Sequence, residues 1–267
     1  MSGLRFQSFS SGSAGNCYFL GTPDGRGVLI DAGASIKRIR TELSRSGLGL
    51  DSVEAVLVTH DHLDHIRHLG AFCKKLGKPV YACRDLHDAL SVHSFTREYI
   101  ASCRRVLEAD RWNEVAGMQV RYFSVPHDAS STCGYAIVAG GLKFVIMTDA
   151  GRVTPEALSL FRQADIAVIE SNYDVDMLMG GHYPHELKMR ICGGHGHLSN
   201  DECAEAVRSF FHPGMKAIFL CHLSENNNTP EAAYRSASGA LESIGAGGGE
   251  VLLKPLPRTL PSAMYSF

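Results

Sequence analysis

The chain alternates between short apolar runs, which predict buried β-strands, and longer segments with helical periodicity. The strand-like runs are rich in β-branched and aromatic residues, and turn residues or polar residues bound them. They lie at residues 53–58, 120–125, 135–138, 143–147, 166–169 and 217–220. Between them, apolar residues recur at helical spacing and predict amphipathic helices over 64–76, over 155–163 and from Asn200 onwards.

The composition is that of an ordinary globular protein and excludes few classes of function. The chain has 267 residues, of which 45% are hydrophobic and 20% are charged. Because no Pro/Ser-rich linker or internal repeat divides the pattern, we predict a single domain over residues 1–267. The formal net charge of −2 gives no overall basic signature, so contact with nucleic acid requires a local patch.

The cysteines and the apolar segments indicate the cellular compartment of the protein. Eight cysteines are scattered without a C-x-x-C pair, which is typical of reduced thiols in the cytoplasm. The chain begins with polar residues rather than an apolar leader, and no stretch approaches the length of a transmembrane helix. We therefore expect a cytoplasmic protein with no membrane partner; its oligomeric state is open.

The densest cluster of candidate ligands follows the first of these apolar runs. It reads His60-Asp61-His62-Leu63-Asp64-His65, with three imidazoles and two carboxylates in six residues. Imidazole and carboxylate groups bind Zn²⁺, Mn²⁺ or Fe²⁺ without thiolates. A solvated polar loop is the alternative, but a loop between a buried strand and a helix is where a rigid scaffold presents side chains to a ligand. The cluster therefore predicts a metal site.

Other candidate ligands are distant in sequence, but each follows the C-terminal end of a predicted strand. His60, His127, Asp149, Glu170 and His222 share this position. Because strand ends on one edge of a sheet are neighbours in space, we expect these residues to converge. One partition gives His60, His62 and His127 to one divalent ion and Asp64, His65 and His222 to a second, with Asp149 bridging. Two ions about 3.5–4 Å apart can share a hydroxide and clamp the attacking and leaving oxygens.

At these residues the chain resembles the metallo-β-lactamase-fold hydrolases along nearly its whole length. The resemblance implies an α/β fold, an αββα sandwich of two mixed β-sheets flanked by helices. Asp31, His60 to His65, His127, Asp149 and His222 match the five family motifs in order. By this resemblance Asp31 supports the site rather than binding metal. Asp149 stands where zinc β-lactamases carry Cys, which argues for the dinuclear hydrolases and phosphodiesterases.

Four further segments resemble the WalJ/YycJ-like branch of that family, at residues 9–16, 170–174, 196–200 and 222–227. The branch implies 5′-to-3′ exonuclease action on double-stranded DNA and a role in DNA repair. Glu170 and His197 also resemble the place in tRNase Z where a Glu–His pair protonates the leaving oxygen.

The resemblance leads to a mechanism in which a hydroxide bound to two metals attacks a DNA phosphorus. In that mechanism Asp64 positions the hydroxide, Glu170 orients and charges His197, and His197 donates the proton that a poor leaving group needs. The alternative for His197 is a residue of the capping region before the helix at Asn200.

Candidates for substrate binding surround His197. They are Lys188 and Arg190, which could contact phosphates, together with Ser199 and Asn200. Two exposed cations without a function are the alternative for the first pair. His182 and His195 receive no role.

Two further points stay open in the sequence. The Ser/Gly-rich segment at 8–16 is either a hairpin loop or a set of N–H and hydroxyl donors near the site. The function is either a nuclease, a small-molecule hydrolase (thioesterase, lactonase or cyclic phosphodiesterase) on the same metal core, or a non-catalytic metal-binding DNA-repair adaptor.

Overall fold

Two mixed β-sheets of seven strands each form the centre of the computed structural model, which describes residues 3–246 and 249–267. The first sheet has the order β14-β1-β2-β3-β4-β5-β6. Its strands are β1 (Arg5–Gly12), β2 (Gly15–Gly21), β3 (Gly27–Ile30), β4 (Val53–Leu57), β5 (Val80–Ala82), β6 (Arg104–Val106) and β14 (Tyr265–Ser266). Strands β1 to β3 are antiparallel neighbours, whereas β3 to β6 run parallel.

The second sheet has the order β13-β12-β11-β10-β9-β8-β7. Its strands are β7 (Asn113–Val115), β8 (Met118–Ser124), β9 (Cys133–Ala139), β10 (Leu142–Met147), β11 (Ile166–Glu170), β12 (Ala217–Cys221) and β13 (Leu252–Pro255). Gly140 and Gly141 join β9 to β10 with positive φ, the conformation that a tight hairpin turn requires. Strands β10 to β13 are parallel neighbours, so their carboxyl ends share one edge.

Helices flank the two sheets. They are α1 (Ile36–Arg45), α2 (Leu63–Ile66), α3 (Leu69–Leu76), α4 (Arg84–Val92), α5 (Ile100–Cys103), α6 (Pro155–Phe161), α7 (Val175–Gly180), α8 (His185–Ile191), α9 (Asn200–Phe210) and α10 (Pro230–Ser243). Within the described residues, none of these helices has the length and apolar character needed to span a bilayer.

Side-chain alternation along the strands divides the core into two clusters. Phe144 and Ile146 of β10 face the first sheet, while Val145 and Met147 of the same strand face α6, α9 and α10. Phe6 of β1 crosses between the sheets, and its ring lies 5.4 Å from that of Phe144. The predicted sandwich of two mixed sheets flanked by helices is confirmed.

The helix predicted over 64–76 is wrong as a single element, because α2 and α3 are separate. The backbone N–H of His68 donates to the carbonyl of Ala32, and the N–H of Ala32 donates to the carbonyl of His65. These bonds to the segment after β3 replace helical bonds and end α2 after one turn. The break leaves the ligand cluster anchored to the first sheet.

The segment between β11 and α9 contains two short helices, α7 and α8. Asp174 caps α7 by accepting a hydrogen bond from the N–H of Met177, and Pro184 precedes α8. The helices are only six and seven residues long, so they lack the long apolar stripe by which helices are predicted. They place a small insertion between Glu170 and His197.

Candidate active site

The carboxyl ends of the strands bring the predicted ligands together. Strands β10, β11 and β12 are parallel neighbours in register, with Glu170 opposite Cys221, so the residues that follow them are adjacent. Asp149 and His222 have positive φ of 51° and 53°, which turns each away from its strand. The cluster after β4 meets them from the first sheet. The prediction that these strand ends converge is confirmed.

The first group of candidate ligands is His60, His62 and His127, with one nitrogen of each within 4.8 Å of the others. The Nδ1 of His127 donates to the carbonyl of Gly196 at 2.8 Å. That bond fixes the ring and places its Nε2 3.4 Å from Nδ1 of His62. A backbone carbonyl behind a ligating imidazole is the usual way in which proteins set its tautomer.

The second group is Asp64, His65 and His222, and Asp149 lies beside it. The Nε2 of His65 is 3.2 Å from Oδ2 of Asp149 and 3.4 Å from Oδ2 of Asp64. Asp149 also forms a possible ligand group with His60 and His65. It belongs to another possible group with Glu170, His197 and His222. Of the four groups found among the described residues, two correspond to the two halves of the predicted partition, and Asp149 lies in the other two.

Asp31 lies behind His65 and is fully buried. Its Oδ2 accepts a hydrogen bond from Nδ1 of His65 at 2.7 Å, and both of its oxygens accept bonds from Thr59. These bonds direct Nε2 of His65 toward Asp64 and Asp149. This geometry is that of a residue that supports the site, as the resemblance implies.

The donor set fits divalent cations. Among the described residues, the Nε2 atoms of His60 and His222 are buried and lack a hydrogen-bond partner. A buried imidazole nitrogen without a partner costs free energy, and a cation between the groups would satisfy both atoms. The set contains imidazoles and carboxylates without a thiolate, which suits Zn²⁺, Mn²⁺ and Fe²⁺ alike.

The charges in the site also favour a cation. Burial opposes protonation of His222, but the carboxylates of Asp149, Asp64 and Glu170 outweigh it and raise its pKa to about 10. By contrast, burial and neighbouring imidazoles hold the pKa of His60 well below its usual value. The carboxylates therefore attract positive charge, while His60 presents a neutral ring of the kind that binds metal.

Glu170 joins two histidines at the base of the site. Its Oε1 accepts hydrogen bonds from Nδ1 of His197 and from Nδ1 of His222, each at 2.8 Å. Its Oε2 accepts from the backbone N–H groups of Ala150 and Leu198. The carboxylate is fully buried, whereas the His197 side chain is 22% exposed. The Nε2 of His197 is therefore left for the cleft.

The cleft in front of the ligands has a volume of about 290 Å³. The insertion that contains α7 and α8 supplies one wall of it, through Tyr183, Leu187, Arg190 and Ile191. His62, His197 and His222 line the same cleft. A phosphodiester in this cleft would contact the ligand cluster and His197 together.

Of the four predicted substrate-binding residues, Arg190 lines this cleft, and each of the four side chains already has protein partners. Arg190 forms an ion pair with Asp128, and the Nζ of Lys188 donates to the carbonyls of Met179 and Gly181, each at 2.7 Å. Ser199 caps α9 in a capping box with Glu202, and buried Asn200 bonds to Ser171 and Asn228. Their contact with a substrate stays a prediction.

His182 and His195 are both exposed, and within the described residues neither belongs to a ligand group.

Three polar residues that support the ligands were not assigned from the sequence. Asn16 donates to Oδ2 of Asp64 at 3.0 Å, Ser11 accepts from the N–H of His222, and Asn172 donates to the carbonyl of His222. The Ser/Gly-rich segment was the signal for two of them.

Comparison with known proteins identifies the family of this chain. The β-lactamase superfamily domain matches residues 26–222. The chain is 35% identical to the exodeoxyribonuclease YycJ of Bacillus anthracis over an alignment of 248 residues. That alignment covers 93% of each chain. It is 32% identical to the exodeoxyribonuclease WalJ of Streptococcus pneumoniae D39 over an alignment of 247 residues. That alignment covers 92% of this chain and 91% of the relative.

A solved structure shows the same architecture. The metallo-β-lactamase fold protein YhfI from Bacillus subtilis matches with a TM-score of 0.72 over 99% of this chain and 100% of its own, at 14% identity. At that identity the likeness concerns the fold alone. The chain belongs to the β-lactamase superfamily: it has the metallo-β-lactamase fold and a His/Asp metal-binding cluster, and it is an enzyme homologous to the exodeoxyribonucleases YycJ and WalJ.

Proposed function

We propose that this protein is a metal-dependent phosphodiesterase that acts as a 5′-to-3′ exonuclease on double-stranded DNA. The observation that carries the proposal is the hydrogen bond between His197 and buried Glu170, 2.8 Å long, beside two groups of metal ligands. Phosphodiester cleavage has a poor leaving group and gains from a positioned acid. The homologous exodeoxyribonucleases support DNA as the substrate.

The ligand groups would hold two divalent ions, Zn²⁺, Mn²⁺ or Fe²⁺. In the proposed arrangement His60, His62 and His127 bind one ion and Asp64, His65 and His222 bind the other, with Asp149 between them. When bound, such a pair lowers the pKa of water and stabilises charge on the attacking and leaving oxygens.

The chain's own residues would complete the reaction. The Asp64 side chain is 20% exposed, and one of its oxygens is held by Asn16, so the carboxylate can orient the attacking water. Although burial lowers the pKa of His197, the Glu170 carboxylate outweighs it and raises that pKa above its usual value. The raised pKa lets His197 hold a proton to higher pH than a free histidine, and His197 would donate that proton to the 3′ oxygen that leaves with each 5′ nucleotide.

The surroundings of the site bear on how DNA would bind. The net charge of −2 provides no general attraction, so binding depends on local cations such as Lys188 and Arg190. Arg190 would exchange its ion pair with Asp128 for a phosphate. A role in DNA repair, a cytoplasmic location and a single domain over residues 1–267 are parts of the same proposal.

The experiment that tests this function is a Mn²⁺-supplemented digestion of linear duplex DNA labelled at either the 5′ or the 3′ end. Asp64→Ala is the matched inactive control. Progressive loss of the 5′ label by the wild type alone supports the exonuclease and its direction.

Failure to cleave, in protein shown by metal analysis to hold two ions, would shift the function to a small-molecule hydrolase. Hydrolysis of any phosphodiester would exclude a non-catalytic adaptor. Loss of the 3′ label first would overturn the proposed direction.

A further inference from the structure

The hairpin of β1 and β2 places polar side chains where an apolar core would be expected. Ser11, Asn16 and Tyr18 are fully buried behind the ligand cluster. Burying polar groups costs free energy unless each finds a hydrogen-bond partner. Their partners therefore indicate what these side chains do.

Asn16 contacts two of the four candidate ligands that follow β4, Asp64 and His65. Its Nδ2 lies 3.1 Å from the carbonyl of Gly12, 3.0 Å from Oδ2 of Asp64 and 2.8 Å from Nε2 of His65. An amide nitrogen has only two hydrogens for these three neighbours. When Nε2 of His65 binds a cation, the two hydrogens match the carbonyl of Gly12 and the carboxylate of Asp64.

The other end of the Asn16 amide connects to the second sheet. Its Oδ1 accepts from the hydroxyl of Tyr18 at 3.3 Å, and that hydroxyl lies 2.8 Å from Oγ of Ser11. The Oγ of Ser11 accepts from the backbone N–H of His222 at 2.9 Å.

One hydrogen-bond direction satisfies the whole chain of contacts. The N–H of His222 donates to Ser11, Ser11 donates to Tyr18, Tyr18 donates to Asn16, and Asn16 donates to Asp64. Each hydroxyl then donates once and accepts once, and the amide orientation of Asn16 is fixed. This Ser11–Tyr18–Asn16 chain thus joins a ligand of one sheet to the backbone of a ligand on the other.

We propose that Asn16 is a positioning residue of the active site, and that the Ser11–Tyr18–Asn16 chain holds Asp64 and His222 in register. Asn16 donates to Oδ2 of Asp64, the oxygen that lies 3.4 Å from Nε2 of His65, and so holds the carboxylate toward the ligand nitrogens. The backbone of His222 has left-handed geometry, with φ of 53°. The hydrogen bond from its N–H to Oγ of Ser11 anchors this geometry, and a side chain without a hydroxyl at position 11 would lose that bond. The role in catalysis rests on the proposed phosphodiesterase function, whereas the geometry of the metal site does not.

The test compares three variants of the full chain loaded with Co²⁺. Asn16→Ala removes the donor to Asp64, and Tyr18→Phe removes a single hydroxyl from the chain while keeping the ring. Tyr135→Phe is the matched control, because Tyr135 is equally buried and its hydroxyl donates to the carbonyl of Val58, outside the chain. The readouts are the Co²⁺ absorption spectrum, Co²⁺ affinity, and kcat and KM on an activated aryl phosphodiester.

Asn16→Ala is expected to change the Co²⁺ spectrum and to lower Co²⁺ affinity or kcat by about 10- to 100-fold, as other supporting residues of metal sites do, with little change in KM. Tyr18→Phe should act in the same direction with a smaller effect. Tyr135→Phe should lower thermal stability and leave the spectrum unchanged. A wild-type spectrum, affinity and kcat in Tyr18→Phe and Asn16→Ala would overturn the proposal.

Failure of the proposed function has a different signature. Wild-type protein that binds Co²⁺ but cleaves no DNA would end the exonuclease proposal, while a changed spectrum in Asn16→Ala would still support the positioning role. If Asn16→Ala does not fold, Tyr18→Phe alone decides the outcome.

Discussion

Two histidine–carboxylate pairs lie in the same site and differ mainly in exposure. Asp31 accepts from Nδ1 of His65 at 2.7 Å, and Glu170 accepts from Nδ1 of His197 at 2.8 Å. The first pair has no exposed side-chain surface, whereas the His197 ring is 22% exposed. In both pairs the buried carboxylate sets the tautomer of the ring, so the pairing alone does not determine the role.

The surroundings of Nε2 separate the two pairs. In His65 this atom lies between Asp64 and Asp149, where positive charge is stabilised, which favours a metal ligand. In His197 it is left for the cleft, which favours proton transfer to a substrate. The same kind of histidine–carboxylate pair can therefore serve either metal binding or acid catalysis, depending on what the free nitrogen faces.

The largest effect is expected when the fully buried His65–Asp31 pair, the closed pair, is broken. His65→Ala removes a ligand and leaves the Asp31 carboxylate buried without its imidazole partner. Breaking a buried ion pair costs about 3–5 kcal/mol, so the variant should unfold at much lower denaturant concentration and bind fewer than two ions. Chemical unfolding of the metal-free protein and metal analysis check both results.

His62→Ala is the matched control, because His62 is a partly exposed member of the same motif. It should lose metal and activity together while the stability of the metal-free protein changes little. If His65→Ala kept both ions and its stability, the closed pair would not have the role assigned to it.

Disruption of the partly exposed His197–Glu170 pair, the open pair, should give a smaller and more selective effect. His197→Ala removes no residue of the two proposed ligand groups, so the variant should keep both ions. It should slow DNA cleavage by about 10²–10⁴-fold, the usual contribution of a general acid. An activated aryl phosphodiester needs no acid, so its cleavage should fall much less. Equal losses on both substrates, measured as kcat/KM, would remove His197 from the acid role.

The same contrast explains how much of the site could be predicted from the sequence. The His60 to His65 cluster is local and follows a buried strand, so its role was predictable. His127, Asp149, Glu170 and His222 became predictable because parallel strands end at one edge. Whether a histidine faces the cleft or another carboxylate depends on side-chain packing between the sheets, which no local pattern encodes.

Other parts of the molecule were less predictable for physical reasons. Asn16 lies in a polar, glycine-rich segment, whose composition also fits an ordinary turn. Helices α7 and α8 are too short for a recognisable apolar period. The ion pair of Arg190 with Asp128 joins residues far apart in sequence, so each alone resembled a free surface charge. The break between α2 and α3 depends on backbone bonds to Ala32 from another part of the chain.

The smallest effect should appear when the open pair keeps His197 but loses the negative charge of Glu170. Burial lowers the pKa of His197, and the Glu170 carboxylate more than compensates and raises it. A histidine with a raised pKa is protonated, and therefore an active acid, below that pKa, and it loses this proton as the pH rises through it. Glu170→Gln removes the charge, so the pKa of His197 should fall and the alkaline limb of kcat should move to lower pH.

The loss in Glu170→Gln should shrink as the pH falls, because His197 regains its proton, whereas the loss in His197→Ala should not recover at any pH. Glu202→Gln is the matched control: Glu202 belongs to the capping box of α9, close in sequence to His197, and its replacement should leave the pH profile in place. Kinetics on DNA across pH with metal held saturating measure the shift. An unmoved alkaline limb in Glu170→Gln would mean that the Glu170 carboxylate serves His197 only by orienting the ring, not by raising its pKa.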